Sequence, residues 1–262
     1  MGRKVAATTA KNGSTQGYPT PALDKGLDIL ELLAHECDGL TKSEIARSLN
    51  RTVSEIFRML LCLERRGYIS TTASDRYVLS LRLFRLVQEH PPTERLLAES
   101  LPRMHTLVAR AQQSCHLGIL EAGRVVILAQ SDAPGSVGFY VKAGSTIDLM
   151  QAATGQVILA HIPGEQQQRV LEEWRKETGK SVPKDLMKHL ERIRQRGHER
   201  RASYQVRGIT NISFPIMDAF GTAVAALTVP HIQRLDAHVS MQSIETALAE
   251  TAREISAAIG SK

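Results

Sequence analysis

Residues 41–69 read TKSEIARSLNRTVSEIFRMLLCLERRGYI, and one local device occurs in them twice. In Thr41-Lys42-Ser43-Glu44 and again in Thr52-Val53-Ser54-Glu55, a threonine stands three residues ahead of a glutamate. This is the capping box: the hydroxyl accepts from an orphan N–H of the first helical turn, and the carboxylate reaches back to the N–H of the cap. Apolar residues at helical spacing follow each box, Ile45, Ala46 and Leu49 after the first, and Ile56, Met59, Leu60 and Leu63 after the second. Asn50 and Arg51 leave room for a short turn between the helices, and Gly67 suits a left-handed C-terminal cap. Two capped helices joined in this way predict a helix-turn-helix.

Upstream, Pro21 opens a segment in which Leu23, Leu27, Leu30 and Leu33 recur every three or four residues, the stripe of a further helix, and Gly39 ends it. Downstream, the β-prone runs 68–71 and 76–79 flank Thr72-Ala73-Ser74-Asp75 and predict a hairpin. Three helices and a hairpin make a winged helix-turn-helix over 21–80. Residues 1–20 are polar and without periodicity, and read as a flexible tail. Residues 81–93 form a linker helix with too many apolar positions to be free, suited to packing on a partner. Its stop is His90-Pro91-Pro92-Thr93.

The remainder, 94–262, mixes strands and helices without βαβ regularity, which predicts an α+β domain around an antiparallel sheet. Helical periodicity covers 94–112, where Pro102 implies a kink or a fresh start capped by Ser100. Strands are expected over 116–121 and 125–131 around Ala122-Gly123, then a loop or short strand over 136–145. Helices over 154–161, 165–177 and 183–196 precede strands at 209–217 and 223–229 and a closing helix over 241–259.

Of 262 residues, 42% are hydrophobic and 23% charged, enough for a sizeable core and too apolar for a disordered chain. No run of about 18 apolar residues and no apolar signal segment occurs, so the expectation is a soluble cytoplasmic protein with no membrane partner. Cys37, Cys62 and Cys115 are too few and too scattered for a disulfide framework or a metal site, and read as small buried hydrophobes. The 33 basic and 27 acidic residues give a net charge of +6, of which 13 basic and 10 acidic lie in 1–90, so each part carries +3 and total charge locates no function.

Placement is more telling than the total. Arg51, Arg58, Arg65 and Arg66 outweigh Glu55 and Glu64 around the second capped helix, while Ser54, Phe57, Arg58 and Leu61 fall off its buried stripe. In a helix-turn-helix this helix enters the major groove, where a guanidinium pairs with guanine at two points. Thr52, Ser54, Glu55, Phe57, Arg58, Arg51 and, from the hairpin, Arg76 are therefore the candidate contacts to double-stranded DNA. Arg3, Lys4 and Lys11 are further candidates for phosphate from the tail.

No catalytic constellation emerges. P-loop, dinucleotide fingerprint, HExxH and GxSxG patterns are absent, the nine histidines lack metal-ligand spacing, and Cys115 and His116 are strand neighbours that face opposite sides. No metal and no cofactor is expected. The alternative to a protein whose business is DNA binding is an enzyme acting on a small molecule with an accessory DNA-binding domain. In the second domain, Thr154, Asn211, Ser213 and Thr228 are polar groups in apolar segments. They suit the few fixed contacts of a ligand pocket, and equally ordinary caps or strand-face hydroxyls.

From Ala22 to about Ile259 the chain resembles the IclR family of bacterial transcription regulators. The resemblance is carried by ALDKGLDILELLA (22–34), GLTKSEIARSLN (39–50) and VSEIFRMLLCLERRGYI (53–69), and later by LMQAATGQVILA (149–160), 208–216 and AALTV (225–229). It implies a winged helix-turn-helix followed by a GAF-like α/β sensor domain that binds a small, often acidic metabolite, in a homodimer or homotetramer. Ser54 and Arg58 match residue types common in the family, whereas Glu55 and Phe57 depart from it. Ala153, Thr154, Asn211 and Thr228 fall on effector-contacting positions; Asn211 replaces a common Cys, and Arg201 stands about where an Asp is frequent.

Overall fold

The computed structural model describes residues 20–88, 91–233 and 239–260, the side chains of 88, 91 and 92 excepted. The expectations for Arg3, Lys4, Lys11 and His90 lie outside the described residues. The chain divides into two compact units, 1–89 and 90–262.

The first unit contains α1 (Pro21–Leu33), α2 (Lys42–Ser48), α3 (Val53–Arg65), the antiparallel pair β1 (Ile69–Thr71) and β2 (Tyr77–Leu79), and α4 (Arg82–Gln88). Its core joins Ile29 and Leu33 of α1, Ile45 of α2, Ile56 and Leu60 of α3, and Ile69. Each such side chain contributes about 1.5–3 kcal/mol when buried. Gly67 takes the left-handed conformation (φ +74°) that closes α3, and Tyr68 N–H donates to Leu63 O at 2.9 Å. Leu40 and Tyr77 exchange backbone hydrogen bonds of 3.0 and 2.7 Å, which ties the hairpin to the start of α2.

The leucine stripe of α1 forms but is only partly buried. Leu33 is buried and Leu30 partly so, but Leu23 and Leu27 are 60% and 47% exposed, and Ile29 takes the central place. The reason is that α3 does not close against the first turns of α1. Its first turns instead line an apolar groove of about 480 Å³ with Met59, Leu63 and Leu83.

The second unit is built on one antiparallel sheet ordered β5-β4-β3-β8-β7-β6. Its strands are β3 (Cys115–Glu121), β4 (Arg124–Ser131), β5 (Thr146–Asp148), β6 (Glu199–Ala202), β7 (Ile209–Met217) and β8 (Ala223–Ile232). Helices α5 (Pro91–Ala111) and α9 (Met241–Gly260) pack on one face, through Met104, Leu107, Leu117, Ile212, Leu227 and Leu248. The other face meets α6 (Ala153–Ala160), with α7 (Gly164–Thr178) and α8 (Leu186–Arg196) completing a second core around Leu159, Trp174 and Leu190. Ala122 and Gly123 both have positive φ (+48° and +74°), as a two-residue hairpin demands. A Cβ on Gly123 would lie 2.4 Å from the backbone of Trp174, so no other residue fits there.

Three expectations are corrected. Pro102 does not restart the helix: α5 runs through it, and Ser100 is fully buried with an unpartnered hydroxyl rather than a cap. The apolar face of α5, held on the sheet, outweighs the roughly 3 kcal/mol of an internal proline. Pro91 begins α5, where a missing N–H is harmless. Of the three cysteines, Cys115 is buried but Cys37 and Cys62 are exposed. Among the described residues no helix is long and apolar enough to cross a membrane, and no cluster of three metal-ligating side chains occurs.

Candidate nucleic-acid interface and effector site

Both capping boxes form. Thr52 N–H donates to Glu55 Oε2 at 2.8 Å and Glu55 N–H donates to the Thr52 hydroxyl at 3.4 Å; Thr41 and Glu44 repeat this at 2.8 and 3.3 Å. The backbone N–H of Thr52, and then its hydroxyl, hold the Glu55 carboxyl below the usual carboxylate range. The caps fix where α3 starts, and the buried Ile56 and Leu60 fix its rotation. Ser54, Phe57, Arg58, Leu61 and Arg65 are consequently exposed on the outer side.

The seven candidate DNA contacts fall into groups. Ser54, Phe57 and Arg58 project outward, and among the described residues no carboxylate pairs with Arg58. Thr52 and Glu55 are exposed but occupied by the cap, and Glu55 also meets Lys25 Nζ at 3.5 Å. Arg51 Nη2 donates to Asp28 at 3.0 Å, bracing α1 against the turn. Arg76 donates to Gly39 O at 2.9 Å and lies 3.1 Å from Glu44, bracing the hairpin against α2. Lys42, which sequence reasoning passed over, places its ammonium 5.7 Å from the centre of the Phe57 ring. Its position one residue after the first cap, facing the next helix, was the available signal.

In the second unit, register does what sequence spacing does not reveal. Gln130 pairs with His116, His116 with Thr228, Thr228 with Ser213, and Ser213 with Glu199, so five polar residues form one row across β4, β3, β8, β7 and β6. They lie on the α6 face, because residues directly opposite one another share a face. Thr154, in the first turn of α6, closes over the row. Its hydroxyl is 2.8 Å from that of Thr228 and 3.4 Å from His116 Nε2, and the Ser213 and Thr228 hydroxyls are 2.7 Å apart. A Cβ on Gly118, two residues along β3 from His116, would lie 2.8 Å from Thr154 Cγ2, so glycine is what lets α6 come this close.

Ser213 and Thr154, with the missed His116, thus surround Thr228. Ala153 is buried at the start of α6, whose N-cap, Ala152, offers no side chain to the first-turn N–H groups. Asn211 lies two residues before Ser213 on the same face of β7, opposite Arg201, and is half-buried. Arg201 Nη1 donates to Met150 O at 3.3 Å, just ahead of α6. Burial pushes His116 down to about 4, so it is neutral near pH 7, and its Nδ1 has no hydrogen-bond partner. On the opposite face burial pushes the Cys115 thiol up to about 12, which removes it as a nucleophile. The row offers hydroxyls, an imidazole and helix N–H groups for binding, and no activated group for bond cleavage.

Two family models match the chain, the IclR helix-turn-helix domain over residues 22–73 and the C-terminal domain of bacterial IclR transcriptional regulators over 93–257. The transcriptional regulator BhcR of Paracoccus denitrificans is 30% identical over 242 residues, covering 90% of this chain and 86% of the relative. The regulator KdgR of Escherichia coli is 26% identical, covering 90% and 91%. Among solved structures, Thermotoga maritima IclR superposes with a TM-score of 0.70 at 24% identity, covering 91% of this chain and 98% of the other. An IclR homolog of Microbacterium hydrocarbonoxydans, complexed with 4-hydroxybenzoate, does so with a TM-score of 0.74 at 21% identity and the same coverages. With one model on each unit and relatives that are regulators and not enzymes, the chain belongs to the IclR family of bacterial transcriptional regulators.

Proposed function

We propose that this regulator binds its operator through the outward face of α3 and that a small molecule, bound beside the row from His116 to Ser213 under α6, changes operator affinity. The carrying observation is that Ser54 and Arg58 stand exposed on a helix whose start and rotation are fixed by a capping box and a buried stripe. Ser54, Phe57 and Arg58 face the base edges, with Thr52, Glu55, Arg51 and Arg76 at the backbone margin. Ala153, Thr154, Asn211, Ser213 and Thr228 contact the effector. A small organic acid suits the site, since uncapped helix N–H groups favour negative charge. The protein acts as a homodimer or homotetramer in the cytoplasm; Leu81, Phe84 and Val87, between 54% and 75% exposed in and beside α4, offer apolar surface for association. A ligand shifts the balance between two operator affinities only by binding one state better than the other.

Titration of the full chain against its upstream DNA at several salt concentrations tests the first half. Affinity falling steeply with salt is expected, and salt-independent binding contradicts phosphate contacts. Melting in the presence of a set of small organic acids tests the second. A raised Tm with at least one acid is expected, and no shift with any counts against the acidic class.

A further inference from the structure

The outer side of α3 is not uniformly polar. Ser54, Arg58 and Arg65 run along its middle, but one edge consists of Val53, Phe57 and Leu61, spaced one turn apart and 41%, 41% and 47% exposed. Nothing in the first unit's core uses them: from α3 that core takes Ile56 and Leu60, with Met59 and Leu63 packed against it. An exposed apolar stripe needs an occupant of matching chemistry, and here cations border most of it, Lys42 over the Phe57 ring and Arg58 and Arg65 alongside, while the carboxylate at its far end, Glu64, is occupied by the Thr71 hydroxyl at 2.6 Å. A second copy docked on the same face would bring these cations against their own kind. The matching surface is apolar in small patches and rimmed by negative charge. The 5-methyl groups of thymine in the major groove, flanked by phosphates, are such a surface.

We propose that Phe57, with Leu61 one turn further on, reads thymine methyl groups, while Lys42 beside the ring holds the adjacent phosphate. The proposal rests on the reading of α3 as the DNA-contacting helix, and it makes Phe57 a determinant of which base pairs the protein accepts.

The test begins with selection of duplexes from a random-sequence pool by the full-length protein. Each thymine of the selected site is then replaced by deoxyuridine, which removes one methyl group and leaves every hydrogen-bonding atom in place. The expected result is a loss of about fourfold in affinity at one or two positions, the worth of one buried methyl. That discrimination disappears in Phe57→Ala and persists in part in Phe57→Leu, with the melting temperature of both variants unchanged because the ring is exposed. Indifference of the wild type to every replacement overturns the proposal, as does discrimination that survives intact in both Phe57→Ala and Leu61→Ala. A variant that keeps the discrimination but changes sedimentation marks the stripe as an interface between copies, and also overturns it. Recovery of no preferred duplex at all defeats the DNA-binding reading itself, a different and earlier failure.

Discussion

The two candidate sites are built on opposite principles. The face of α3 projects polar and apolar groups into solvent from a helix held rigidly by its caps and its buried side. The row from Gln130 to Glu199 does the reverse: it withdraws four of its five polar residues from solvent, leaves Gln130 half-buried and satisfies them unevenly, so that Thr228 bonds two hydroxyls while His116 Nδ1 and Gln130 Oε1 bond nothing. A surface meant for a large anionic partner costs little to hold open. A site inside a domain stores unmet hydrogen-bonding capacity, which is expensive until a ligand or water meets it. The outward residues Ser54, Phe57 and Arg58 should therefore tolerate changes and lose only affinity, while the second unit should lose stability as well.

The largest effect that sharpens this contrast is one of pH. His116 in the folded chain binds its proton only near pH 4, against about 6.5 when unfolded, so between these values the unfolded chain takes up the proton first. The stability contributed by burying neutral His116 is complete above about pH 6.5 and is lost as the pH falls toward 4. The loss is on the order of 3 kcal/mol, at about 1.4 kcal/mol per pH unit. The sole tryptophan, Trp174, is buried in the second unit and reports its unfolding. Urea titrations of wild type and His116→Gln from pH 7.5 to 4.5 should diverge, with the wild type losing more; parallel curves would contradict the assignment.

Next in size is Thr228→Val. The change keeps the shape and removes the hydroxyl that Thr154 and Ser213 share, leaving two buried groups short of a partner at a cost of about 1–3 kcal/mol. The Trp174 transition should move to lower urea by that amount, and an unmoved midpoint would mean that the row is already solvated. The smallest effect is Thr52→Ala. Loss of the α3 cap costs about 1 kcal/mol, seen as faster hydrogen exchange along α3, while the Trp174 transition stays where it is. A shifted Trp174 transition would break the comparison, because the two sites would then not be energetically separate.

What could be read from the sequence follows from the same contrast. Caps, periodicity and turn residues are local, and they predicted α2, α3, the 69–79 hairpin and the Ala122-Gly123 turn, and with them the outward places of Ser54 and Arg58. Register is not local. Thr154, Ser213 and Thr228 could be picked out as polar residues in apolar runs, but only the pairing of β3, β8 and β7 brings His116 among them. Edge strands β5 and β6, three and four residues long, are too short to display alternation and were not foreseen. The leucine spacing of α1 puts Leu23 and Leu27 on one stripe, yet whether they are buried depends on what lies opposite, which spacing along one helix does not encode.

The claim on which the account turns is that α3 reads base pairs through its outward residues. Its most direct measurement is the ratio of affinities, by fluorescence anisotropy at fixed salt, for a selected duplex over a scrambled one of equal length, in wild type and in Arg58→Ala. A guanidinium paired with a base contributes about 1–3 kcal/mol of discrimination, so the ratio should fall by roughly 5- to 150-fold while binding to the scrambled duplex changes little. An undiminished ratio in a folded Arg58→Ala protein would contradict the account.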